Sequence, residues 1–175
     1  MVSKRSIESI RAKVSELSRA SDLRDAVAAL IATAVPSVTV ESTVVPNYGI
    51  DDLGSTVISV RVESRAITVE MGPAERTVDI GVAIMAKAPQ ASGFPLDAKN
   101  DYRAKELEVN DELDGIVETV LGIWTPPTTT AETEVAGHRF TNISQETALE
   151  VASYFENGIW FSTITITFFD YCDEV

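Results

Sequence analysis

At 175 residues and 18.9 kDa, with 45% apolar and 23% charged residues, the chain has the composition of one globular domain with a self-sufficient core. Its 27 carboxylates against 14 Lys and Arg give a net charge of −13 and a pI near 4.4, which argues against nucleic-acid binding through neutralised phosphates. One cysteine, Cys172, excludes an intrachain disulfide and a cysteine-rich metal site, and no run approaches the roughly 20 apolar residues of a membrane-spanning helix.

The start, MVSKRSIESIRAKV, is basic but has neither a continuous apolar stretch nor a small-residue cleavage site, so no secretory signal is expected. The chain reads as a soluble protein made in a cytoplasm. Residues 1–35 read as helix. Ile7, Ile10, Val14 and Leu17 recur at helical spacing; Ser21 and Asp22 interrupt and cap a second helical run with Leu23, Val27, Leu30 and Ile31 on its apolar face. Pro36 ends it.

Over residues 37–87 the period changes to two. SVTVESTVV predicts a strand, stopped by Pro46 and the turn-rich NYGIDDLGS. TVISVRVES and AITVEM predict two more strands, and GPAE a hairpin turn. RTVDIGVAIMAK alternates Val78, Ile80, Val82 and Ile84 inward with Thr77, Asp79, Gly81 and Ala83 outward. The small side chains at Gly81 and Ala83 would let a helix or another subunit approach that face closely.

Residues 88–106 carry no period and hold two prolines and a glycine, which reads as a long loop of the kind that is functional or disordered. A helix is predicted over 110–125, with Asn110 or Asp111 capping its start, Leu113, Ile116, Val117, Val120, Leu121 and Trp124 on one face, and Pro126–Pro127 stopping it. TPPTTTAETE is a polar loop. Over 138–171 HRFTNIS predicts a strand, TALEVASYF a short helix or turn, and NGIWFSTITITFFDY a closing strand. Trp160, Ser162, Ile164, Ile166 and Phe168 lie on one side of that strand and threonines dominate the other. A strand this apolar needs partners, from its own chain or from a neighbour. The summed order predicts one α+β domain over 1–175, with a mainly antiparallel sheet and helices packed on one face.

Residues for chemistry are few. His138, in AGHRF, has no nearby Cys or second His and reads as an exposed loop histidine. Asp51 and Asp52 lack the staggered oxygen spacing of a calcium loop and read as turn residues. Glu108, Asp111, Glu112 and Asp114 read as a solvated helix start. Cys172, beside Asp173, has no feature that would lower a thiol pKa. No phosphate-binding loop, nucleophile elbow, zinc-helix motif or dinucleotide fingerprint is present. No catalytic residue, metal or cofactor is therefore expected, and the chain is not expected to be an enzyme. Trp124 reads as core; Trp160 is either core or interface.

The order of the hairpin RAITVEMGPAERTVDIGVAIMAKAP, the helix NDELDGIVETVLGIW and the ending TALEVASYFENGIWFSTITITFFDY resembles the tail terminator and tail completion (neck) proteins of long-tailed bacteriophages. The likeness covers most of the chain and lies in pattern, including Lys87 at a strand end and the closing Phe161, Ser162, Thr163 and Ile164. The tandem N-terminal helices and the long 88–106 loop depart from it.

The resemblance implies a structural virion protein, assembled in the host cytoplasm, whose homo-oligomeric ring, six-fold in the family, caps the tail tube and meets the head connector. DNA would pass through without specific binding. On that reading Phe94, Pro95, Tyr102, Arg103 and Trp160 are expected at subunit or tube interfaces, and Asp51, Asp52, Glu70 and Glu75 on an acidic lumen that repels phosphate. The alternative reading is a small-molecule or peptide-binding α+β module with a pocket under the long loop. An enzyme using dispersed carboxylates stands third.

Overall fold

The computed structural model describes residues 4–43, 53–68, 74–88, 99–125, 134–147 and 158–172. The described chain is α+β: two helices, α1 (Lys4–Ala34) and α2 (Lys99–Gly122), and a mixed sheet of six strands. The strands are β1 (Thr39–Ser42), β2 (Val57–Thr68), β3 (Ala74–Lys87), β4 (Glu134–Val135), β5 (His138–Thr147) and β6 (Ile159–Cys172), in the spatial order β1-β2-β3-β6-β5-β4.

The closing strand takes a central place. β6 lies between β3 and β5 and pairs with β3 along its whole length, from Lys87 opposite Ile159 to Ala74 opposite Cys172, without a register shift. Its alternation is the one expected: Trp160, Ser162, Ile164, Ile166 and Phe168 are buried, and the residues between them half-buried. Val78, Ile80, Val82 and Ile84 of β3 are buried on the same core face. One cluster joins these residues to Leu23, Val27 and Ile31 of α1 and to Leu113, Ile116, Val117, Val120 and Trp124 at the C-terminal end of α2. Trp124, Phe140 and Phe168 close one end, with ring centroids 6.2–6.4 Å apart and Phe168 meeting both others edge-on. The opposite face carries a smaller cluster of Leu53, Val57, Ala83 and Met85.

Several elements differ from their sequence reading. Ser21 and Asp22 do not break the N-terminal region, and α1 is one helix of 31 residues. Neither residue costs more than about 0.7 kcal/mol inside a helix, and no Gly or Pro lies between Lys4 and Ala34, so burial of Leu23, Val27 and Ile31 carries the helix on. The faces expected for Ile7, Ile10, Val14 and Leu17 fall outside the described side chains.

The helix expected to start at Asn110 starts at Lys99, so residues 99–106 are helix, not loop, and Asn110 and Asp111 are interior rather than capping. This early part is rich in good helix formers but polar all round: Leu107 is 62% exposed, and Lys105 and Glu108 pair across one turn at 2.9 Å. With no apolar stripe there was no period to read.

TVISVRVES and AIT form a single strand, β2, kinked by a bulge between Val62 and Ser64. The bulge explains why the apolar positions shift from even (Val60, Val62) to odd (Ile67). It inserts Glu63 and returns Ile67, opposite Arg76, to the core face. Nor is the sheet wholly antiparallel. β1 runs parallel to β2, Thr39 opposite Val57, an arrangement that a tight turn cannot join and that residues 43–56 connect. Only 39–42 of SVTVESTVV are strand among the described residues; the GPAE turn, but for Ala74 and Glu75 in β3, and the segment TALEVASYF after Thr147 lie outside them.

A continuous α1 makes position 21 intolerant of proline. Ser21→Pro is expected to cost about 3 kcal/mol or more, read from urea denaturation and loss of helical circular dichroism; a break at 21–22 would instead make the substitution nearly neutral.

Candidate assembly surface

The short outer strands cover only part of their neighbours. β1 pairs with residues 57–60 of β2, and β4 with His138 and Arg139 of β5. Among the described residues, 61–68 of β2 and 140–147 of β5 have no strand on their outer side. The exposure agrees. Every residue of β2 from 63 to 68 is exposed, as are Thr141, Asn142, Ser144, Gln145 and Glu146 of β5. A strand rim of this kind presents backbone donors and acceptors in a row and is a template for another strand.

A polar network crosses the face opposite the helical core beside the β2 rim. At the bulge, Arg61 Nη2 donates to Glu63 Oε1 at 2.9 Å, and Thr165 Oγ1 of β6 donates to Glu63 Oε2 at 3.4 Å. Next to it Ser64 Oγ and Thr167 Oγ1 both donate to the Asp79 carboxylate, at 2.5 and 2.9 Å. Gly81 lies beneath Glu63: a Cβ built there would stand 2.6 Å from Glu63 Oε2. The close approach expected at Gly81 is therefore made by the chain's own ion pair. The network ties β2, β3 and β6 together by side chains as well as by backbone, and holds the bulge in place.

At the same border of the sheet, burial of Asp25 opposes its ionisation, but hydrogen bonds from Arg24 and Ser42 and the Arg24 charge prevail and hold the carboxyl below its ordinary value. That contact ties α1 to β1.

Of the residues expected at interfaces, Arg103 is exposed on α2, and Tyr102 lies in the first turns of the same helix. Trp160 is 2% exposed and belongs to the main core, packed within its own chain; its position on the inward-facing side of β6 leaves it no surface for a neighbour. Phe94 and Pro95 lie outside the described residues. So do Asp51, Asp52 and Glu70 of the expected acidic set, whereas Glu75 is exposed at the start of β3, opposite Tyr171.

His138 is not an exposed loop residue. It opens β5, is 1% exposed, and its Nδ1 lies 3.0 Å from the Ala136 carbonyl, which accepts, leaving the ring to pack in the core. The tight turn at Ala136 and Gly137, both at positive φ, folds β4 back on β5 and carries the ring inward.

The residues that sequence reasoning missed are Arg61, Glu63, Ser64, Asp79 and the threonines of β6. Their signal was the parity shift from Val62 to Ile67, which a bulge within one strand produces.

The Gly81 contact has a testable sign. A strand glycine costs roughly 0.5–1 kcal/mol relative to alanine. Gly81→Ala is expected to recover that amount in a Glu63→Ala background, and less in the wild type, where the new methyl displaces the Glu63 carboxylate; urea titration of the four proteins measures the difference.

No family model matches the sequence, and no curated protein matches it.

Proposed function

We propose that the chain is a ring subunit of the neck or tail of a long-tailed bacteriophage, with helices on one face of the sheet and a homo-oligomer, six-fold in this reading, as its working state. The observation that carries the reading is the pair of exposed strand rims, on β2 and on β5, at opposite borders of one sheet whose core is already closed within the chain. Two different rims on one subunit favour head-to-tail association, and head-to-tail contacts close into rings when the rotation permits. Order of elements supports the same assignment: a long N-terminal helix, a long hairpin, a second helix, and a closing strand.

Charge supports the direction of the function. Six copies would carry about −78. A lumen of that sign repels the phosphate backbone, so that genomic DNA passes without being held. In this reading Asp51, Asp52, Glu70 and Glu75 contribute to the lumen, Arg103 to a subunit or tube contact, and the partners are the tail tube and the head connector. The action is mechanical: the ring ends the tube and joins it to the head.

Native mass spectrometry over a concentration series, with negative-stain imaging, is expected to show closed rings, alone or on tail tubes. A protein that stays monomeric at every concentration and also fails to bind tubes would sink the proposal. Replacing Glu75 by Arg is expected to slow genome ejection without lowering stability, because the residue is exposed; ejection at the wild-type rate removes Glu75 from the lumen.

A further inference from the structure

The two rims share one regular geometry, and the bulges define it. In β2 the register runs without a break from Ser64 opposite Asp79 to Thr68 opposite Glu75, bounded on one side by the bulge at Glu63. In β5 it runs from Asn142 opposite Thr167 to Gln145 opposite Ile164, bounded by register shifts on both sides. Outside these stretches a bulge disturbs the ladder and disfavours a further strand. Residues 64–68 and 142–145 are thus the parts of the rims able to accept a partner.

Direction and facing then select how they meet. β2, β3, β6 and β5 are antiparallel in turn, so β2 and β5 run in opposite directions. A second copy brought alongside with its sheet in the same sense therefore sets its β5 antiparallel to β2, and core face continues into core face. Ile67 and Arg65 lie on the core face, opposite Arg76 and Val78; Ile143 and Gln145 lie on that face opposite Ile166 and Ile164. Ala66 and Thr68, and Ser144 and Asn142, lie on the other.

One register satisfies all of this. Ile67 meets Ile143 and Arg65 meets Gln145 on the core face; Ala66 meets Ser144 and Thr68 meets Asn142 on the other. No like charges oppose, every cross-strand pair joins side chains of compatible polarity, and Ile67, 47% exposed in the single chain, gains an apolar partner.

We propose that residues 65–68 of β2 pair antiparallel with residues 142–145 of β5 of a second copy of this chain, in that register, so that the sheet continues from subunit to subunit. The pairing deepens the ring reading and rests on it. It identifies the contact, commits it to a heterologous geometry, and places the Arg61–Glu63 and Ser64–Asp79 network at its border, where it holds the β2 rim rigid before association.

Residues directly opposite in an antiparallel pair have Cα atoms about 4.5–5.5 Å apart, within the range a disulfide bridges. Ala66→Cys and Ser144→Cys, each in a Cys172→Ser background, alter exposed positions and leave no other thiol. Under mild oxidation the mixed single variants are expected to give a disulfide-linked dimer, the double variant a ladder of multimers, and neither single variant a product alone.

Dimers from Ala66→Cys alone would overturn the proposal in favour of a two-fold β2–β2 contact. Rings in native mass spectra without cross-linking would also overturn it while leaving the ring reading intact. Absence of both, with no binding to tail tubes, would remove the two together; absence of both with tube binding would overturn the pairing alone. Ile67→Lys provides the independent measurement: it is expected to weaken association about tenfold with an unchanged monomer fold, and unaltered association would count against the register.

Discussion

The antiparallel ladder between β3 and β6 is what the other elements depend on. Both strands are 14 residues long and they are in register from end to end. Their alternating aliphatic residues form a continuous apolar strip, and each fully buried Ile or Val on it contributes roughly 1.5–3 kcal/mol through removal from water. Among the described residues, α1 and α2 have no comparable surface elsewhere. Leu23, Val27 and Ile31 from one, and Leu113, Val117 and Val120 from the other, find their cover in the cluster built on this strip. Without β6 in the middle of the sheet, β3 would lose half its backbone partners and β5 would lose its only long neighbour.

Placing the best strand in the centre has a consequence at the borders. Pairing partners are used up inward, and the outer strands β1 and β4 are short, with four and two residues. Among the described residues, the backbone along 61–68 and 140–147 is left without a strand on its outer side, although Val62, Phe140 and Ile143 still pack against the core. Bulges break up those rims, as edge strands commonly require, but leave one regular stretch on each. Protection against indiscriminate pairing and a defined site for a specific partner are compatible in this arrangement, because the bulges restrict both the length and the register of any added strand.

Polar contacts distribute the work differently from the core. On the core face the buried polar groups include Ser162, which accepts from Gln145 Nε2 at 3.3 Å, His138, which packs its ring inward, and Arg76. On the other face Arg61, Glu63, Ser64, Asp79, Thr165 and Thr167 form a chain of hydrogen bonds that spans three strands. Exposed pairs of this kind add little stability singly. Their effect is to fix the position of the bulge, and through it the parity of every residue from Ser64 to Thr68.

Much was legible in the residues themselves. The faces of β3 and β6 and the apolar stripe from Leu113 to Trp124 follow from periodicity, because strongly alternating aliphatic residues tolerate one burial pattern only. So did the α+β class. Local signals failed where they were weak and the tertiary fold was strong: Ser21 and Asp22 looked like a break but were carried through by a buried helix, and residues 99–106 looked like a loop because a polar helix has no stripe. Position in the sheet was beyond the sequence altogether. Trp160 fits a core or an interface equally well, and His138 follows a Gly as an exposed turn histidine would; only the arrangement of strands decided that both are buried. The rims were hidden for the same reason. Whether a strand has a free side depends on which strands lie beside it, and hydrogen bonds between residues distant along the chain, not the composition of either strand, settle that.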